Sequence, residues 1–221
     1  MLGVRVTVPI ACFRKGLARE YLETEPLPPP STCYGFLLSL VGETLRRQHV
    51  GCRVAPVLVN PRHEDQRTRT SVVLRTVWRV KKVPLGSPGN TRPDYQQLLS
   101  PIELVFWLDS REEASSGQTL EQRVNNALKN PTSVNRFGGL SLGESTHLVN
   151  DVDLFPGKIA ARHEGRSGSA FLLAERGRLT LPVWVDHVGS AGTRHVTGDL
   201  QPNWPLDCSP ELEKMPRIEP P

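Results

Sequence analysis

The run Pro26-Leu27-Pro28-Pro29-Pro30 constrains the fold more than any other stretch of this sequence. Proline locks φ and has no N–H to give to a ladder or a helix interior. The chain on its two sides must therefore belong to different elements. Upstream, Val4, Val6, Val8 and Ile10 alternate with Arg5, Thr7 and Pro9, the period-two pattern of a half-buried strand. Downstream, Tyr34, Leu37, Leu38, Val41 and Leu45 recur at helical spacing. Ser31 or Thr32 is expected to cap that helix, and Arg46 and Arg47 suit the C-terminal end of its dipole. Gly35 and Gly42 lower its propensity and leave room for another backbone. The connection between the strand and the proline run is basic, with Arg14, Lys15 and Arg19.

Residues 54–59 and 71–82 read as strands. The second would carry Arg75, Val77, Arg79 and Lys81 on one face and Leu74, Thr76, Trp78 and Val80 on the other. Its cationic side reads either as a solvated sheet face or as a stripe that tracks a phosphate backbone. Residues 84–93 form a polar loop containing Gly86, Gly89 and Asn90, and 102–108 form an apolar strand. After a loop at 110–117, Thr119 and Gln122 make a capping-box pattern. Leu120, Val124, Ala127 and Leu128 then give an amphipathic helix ending at Asn130-Pro131. Residues 179–185 read as a strand that Pro182 places at an edge or a bulge. From Gly198 onward, proline and charge predict an extended tail with little core of its own. The order of elements to about residue 150 predicts an α+β fold of the β-α-β-β-α-β, ferredoxin-like kind.

Lys plus Arg number 27 against 23 Asp plus Glu, a net charge of +4, which favours a polyanionic partner only weakly. No apolar run is long enough for a transmembrane helix, and no secretory signal is evident. Cys12, Cys33, Cys52 and Cys208 form no C-x-x-C pair, so no metal site or other cofactor is expected. The first three read as small core residues. Together these features predict a cytoplasmic protein with no membrane contact.

The segment Arg136-Phe137-Gly138-Gly139-Leu140-Ser141-Leu142-Gly143-Glu144-Ser145 follows the second helix. It lacks the Gly-Lys-Ser/Thr of a Walker loop and the spacing of a dinucleotide fingerprint. A tight structural turn and a loop that cradles phosphates on backbone N–H groups both remain open.

Three segments together resemble a known family. They are Val8 through Arg14 with Glu23 through Gly42; Val72 through Lys81 with Arg92-Pro93-Asp94-Tyr95-Gln96; and Arg136 through Ser145. Over residues 3–155 the chain resembles the CRISPR-associated Cas-five family of the RAMP superfamily, most closely its DevS-like branch. The resemblance implies a ferredoxin-like, RRM-related core at 1–155 with a β-hairpin thumb at about 75–100. Residues 156–221 would supply C-terminal strands and a proline-rich tail without forming an independent domain. It implies a non-catalytic subunit of a type I Cascade complex that anchors the 5′ handle of the guide RNA. Such a subunit joins the backbone subunits to the large subunit near the PAM and meets target DNA through the complex.

On that resemblance Arg14, Lys15 and Arg19 would bind handle phosphates and Tyr34 would stack on a base or sit in the core. Arg75, Arg79 and Lys81 would lie at the thumb's base and Arg92 near its tip. Arg136, Gly138, Gly139, Ser141, Gly143 and Ser145 would face the handle. Glu144 would pair with Arg136 or bond to a base edge or a 2′-OH. One branch of the family cleaves precursor RNA without metal. The rival reading is therefore an endoribonuclease assembled from His147, Tyr21 and Lys158. Of the six histidines, none lies in a zinc-deaminase or metalloprotease pattern.

Overall fold

A computed structural model describes residues 1–16, 20–78, 84, 87, 90–114, 117–156 and 165–221, with 76–78, 91 and 92 described by backbone alone. The elements are β1 (Leu2–Val8), β2 (Tyr21–Leu22), α1 (Pro30–Leu40), β3 (Arg53–Val59), β4 (Arg69–Trp78), β5 (Thr91–Ser100) and β6 (Ile102–Asp109). They continue with α2 (Leu120–Lys129), β7 (Asp151–Phe155), β8 (Ser167–Leu173), β9 (Leu179–Trp184) and β10 (Arg194–Pro205). Together they make an α+β fold of two sheets.

The larger sheet has seven strands in the order β7-β1-β6-β3-β8-β10-β9, all antiparallel to their neighbours. The valine alternation of β1 puts Val4, Val6 and Val8 inside. β6 is almost continuously apolar because it is buried on both faces between β1 and β3. On one face Val4, Val6, Leu104 and Phe106 pack with Phe36 and Leu37 of α1 and Leu120 and Val124 of α2. Phe36 meets Phe106 edge to face at 5.9 Å. The other face buries Val57, Val105, Trp107 and Leu172 beneath Leu206 and Met215.

That second layer corrects the expectation of a tail without a core. Residues 194–205 form a long strand between β8 and β9. Leu206, Met215 and Ile218 are fully buried. The segment beyond them is sewn to β3: Val54 N–H donates to Pro216 O at 2.9 Å, and Ile218 N–H to Cys52 O at 2.8 Å. Single apolar residues scattered among prolines carry no periodicity, so the burial was invisible in the pattern. Pro182 does lie on an edge strand, opposite a register shift in β10.

The capping box of α2 is present, with Thr119 Oγ1 accepting from Gln122 N–H and Gln122 Oε1 accepting from Thr119 N–H. The start of α1 differs from expectation. Pro30 is its first residue and Pro29 its cap, with no side-chain cap bond from Ser31 or Thr32. A proline at the first helical position lacks the N–H that a cap would satisfy. The helix also ends at Leu40, before Arg46 and Arg47, because Gly42 turns the chain left-handed with φ +68°.

The smaller sheet has the order β2-β5-β4. β4 and β5 form an antiparallel hairpin from Arg69↔Ser100 to Trp78↔Thr91. β2 lies parallel beside β5 with Tyr21 opposite Tyr95. Pro93 is tolerated in β5 because β2 reaches only Tyr95 and Gln96. β4 does not follow a simple apolar-in reading: Leu74 is 63% exposed, and Arg75, also exposed, lies across from the buried Asp94.

Candidate nucleic-acid interface

The glycine-rich segment closes on itself as a short turn. Ser141 bridges Leu148, Leu142 N–H donates to His147 O at 3.0 Å, and His147 N–H returns to Glu144 O at 3.0 Å. Leu142 plugs the turn into the core. Gly143 has φ +92°, and a Cβ there would stand 2.6 Å from Cys12 O. That close approach seats the turn on the chain leaving β1. His147 Nδ1 fastens the same seam by accepting from the N–H of Cys12 at 3.2 Å and of Glu144 at 3.4 Å.

Glu144 reaches the hairpin, not Arg136 as expected. Its carboxylate accepts from Arg75 Nη1 at 3.3 Å and from Gln96 Nε2 at 3.1 Å, while Arg75 Nη1 also donates to Gln96 Oε1 at 2.6 Å. Three parts distant in sequence are thereby locked together: the exit of β1, the hairpin and the glycine turn. Ala11 adds a fourth tie by exchanging backbone bonds with Leu99 of β5.

Around this junction Arg14, Arg136 and Ser145 are exposed and Ser141 partly so. Lys15 is exposed and ion-paired to Glu23 at 3.3 Å. Arg75 keeps part of its side chain in solvent despite its pair with Glu144. Gly138, φ +79°, and Gly139 leave bare backbone at the surface. Arg19, Arg79 and Lys81 lie outside the described residues, as does the side chain of Arg92. Tyr34 is a correction. It is 2% exposed and donates its hydroxyl to Arg46 O at 2.7 Å, so its ring belongs to the core and offers no face to a base. Beside the turn, a cavity of about 340 Å³ lies between α1 and β9, lined by Ser31, Gly35, Ser141, Gly143 and Trp184.

Sequence reasoning missed Gln96, which bonds to both Arg75 and Glu144, and Phe137, which is fully solvent-exposed. A phenylalanine beside two glycines carries no sequence signal that separates a surface position from a core one.

Of the proposed ribonuclease residues, His147 and Tyr21 are not brought together. His147 is buried against the turn, whereas Tyr21 sits opposite Tyr95 on the other face of the smaller sheet and bonds to Gln97. Lys158 lies outside the described residues. Among the described residues no cluster of His, Cys, Asp and Glu is placed to hold a metal ion, and no helix is long and apolar enough to cross a membrane.

Burial lowers the pKa of His147 below its ordinary value of 6.5; Glu144 opposes that shift and Arg75 adds to it. The neutral ring therefore stabilises the fold above the unfolded value, and this contribution is lost as pH falls through the lower folded value. Protonation takes the acceptor from both N–H groups. Acidification from about pH 7.5 to about pH 5 is expected to lower the denaturation midpoint and raise amide exchange at Cys12 and Glu144. His147→Gln, which does not titrate, should flatten this part of the pH profile.

The fold places the chain in a structural class shared by known CRISPR proteins. It superimposes on a chain of a "CRISPR RNA-guided surveillance complex" with TM-score 0.58 and 12% identity, over 91% of this chain and 89% of that one. A second solved chain, described as "Crystal structure of Cas protein", matches with TM-score 0.52 and 18% identity over 92% and 95% of the two chains. No protein-family model matches the sequence. A CRISPR-associated protein Cas5 from Myxococcus xanthus (strain DK1622) is 52% identical over 99% of this chain and 97% of its own length. The chain belongs to the CRISPR-associated Cas-five family.

Proposed function

We propose that this protein is a non-catalytic RNA-binding subunit of a type I CRISPR Cascade complex, of the DevS-like branch. It anchors the 5′ handle of the guide RNA and joins the backbone subunits to the large subunit near the PAM. Its core is ferredoxin-like and RRM-related, a reading supported by the β-α-β-β-α-β succession of β1, α1, β3, β6, α2 and β7 and their order β7-β1-β6-β3. The β4–β5 hairpin serves as the thumb.

The observation that carries the reading is the locked junction, which fixes exposed Arg14, Lys15, Arg75 and Arg136 on parts of the chain that cannot drift apart. Cations and bare N–H groups held at fixed spacing suit a kinked ribose–phosphate backbone. The name of the solved surveillance complex agrees with such a role.

The test is binding of a single-stranded RNA carrying the repeat-derived 5′ segment, measured across a salt series. Removing one cation that neutralises a phosphate should flatten the slope of log K against log salt by about 0.7. The Arg75→Ala/Arg79→Ala/Lys81→Ala variant is expected to show a flatter slope than the parent. An unchanged slope in a folded variant removes the hairpin from the interface. Equal affinity for the 5′ segment and an unrelated RNA overturns handle recognition itself.

A further inference from the structure

We propose that Phe137 is a base-stacking residue, an aromatic platform at the tip of the glycine-rich segment that receives one unstacked base of the bound RNA. The inference rests on the RNA-binding reading above and adds a residue to it. Phe137 shows 106% of reference exposure, more than any other large apolar side chain described. Its surroundings are cleared as well. Nothing lies within 4 Å of a Cβ built on Gly138, and only Leu148 Cδ2, at 3.6 Å, approaches one on Gly139. Leu148 is itself 58% exposed. A phenyl ring, two side-chain-free residues and an isobutyl group thus form an open apolar strip that a planar base can reach without displacing anything.

The strip is presented by an anchored segment. Leu142 is buried beyond it, and before it Asn135 O lies so close to the backbone of Gly42 that a Cβ there would collide with it. The ring therefore extends from a fixed base. The rim distinguishes a nucleobase from an apolar protein pocket. Exposed Arg136 immediately precedes Phe137 in the chain, and the one carboxylate of the segment, Glu144, is turned away to Arg75 and Gln96. An exposed cation and an exposed aromatic in succession are components of single-strand binding surfaces, where rings stack on bases and arginine holds the backbone.

The experiment uses the full chain and single-stranded RNAs of the repeat-derived 5′ segment with 2-aminopurine at successive positions. Stacking quenches this base, so the parent protein should darken one position. Phe137→Ala should restore emission there and weaken binding roughly 5–150-fold, the range for loss of one aromatic–base stack. Phe137→Trp and Phe137→Tyr should retain both signals, whereas Phe137→Leu should behave as the alanine variant. The salt slope should stay unchanged, because a neutral ring releases no counterions.

If Phe137→Ala binds and quenches like the parent, the stacking assignment falls while RNA binding stands. Retention of binding by Phe137→Leu but not by Phe137→Ala shows apolar docking and also overturns it. If the parent binds none of these RNAs, the underlying functional reading fails with it. The exposed position makes equal thermal unfolding of all variants the expected control.

Discussion

Glu113→Ala is expected to cost about 2–6 kcal/mol, because it strands two buried donors at roughly 1–3 kcal/mol each. The side chain of Glu113 is fully buried and bonded to that of His49, itself 1% exposed. Its two oxygens also accept from Leu120 N–H at 3.2 and 2.9 Å, capping the first turn of α2. Arg123 Nη1 contacts His49 Nε2 at 2.8 Å and Glu43 at 2.5 Å. Because guanidinium can only donate, Nε2 is the acceptor and Nδ1 carries the proton given to Glu113. Alanine leaves that proton and the helix N–H without partners. A fall in melting temperature of roughly 10 °C should follow for a chain of this size. Glu113→Gln, which still accepts from the helix, should lose less. A change below about 1 kcal/mol on Glu113→Ala would show that water replaces the carboxylate and that the network is not sealed.

Gly143→Val should be nearly as damaging and more specific. The position needs φ +92°, and a Cβ would meet Cys12 O at 2.6 Å, a backbone atom with nowhere to move. Left-handed strain and overpacking together should cost on the order of 3 kcal/mol. The turn would part from the chain leaving β1, and RNA affinity should drop with it. Gly138→Ala, strained but facing open space, should cost about 1 kcal/mol. Gly139→Ala should fall within about 0.5 kcal/mol of the parent. Urea unfolding and handle binding of the three variants provide the check. Equal midpoints for Gly143→Val and Gly139→Ala would refute the steric account.

These two regions of the chain were unequally legible. Local chemistry was readable where a few neighbours decide the outcome: the Thr119–Gln122 box, the valine ladder of β1 and the apolar run of β6 each specify their own element. The edge placement imposed by Pro182 was equally local. The strands at 151–155, 167–173 and 194–205 were not readable. β10 contains Gly198, Pro202 and Asn203, breakers in isolation, and is held only by neighbours on both sides. Asp151 and Asp153 make β7 look like a loop, although Arg5 pairs with Asp151 across the sheet. The candidate site was half visible. Its glycines, Arg75 and Glu144 were in view, but the partner of Glu144 depended on how the hairpin folds back. Tyr34 looked available because one sequence position cannot reveal which side of a helix faces a core.

The stitching of β3 to the far end of the chain bears on the order in which the protein can be made. Arg53 Nη1 donates to Leu212 O and Met215 O, partners 159 and 162 residues later in sequence. On a ribosome, β3 emerges long before these carbonyls exist. Helices α1 and α2 can cover one face of the early strands during translation, while the opposite face, with Val57, Val105 and Trp107, waits for Leu206 and Met215. Pairings of such long range form slowly and leave apolar surface uncovered in the interval. A nascent chain halted before residue 206 should therefore bind chaperones through that bare face, and release should coincide with synthesis of the closing segment.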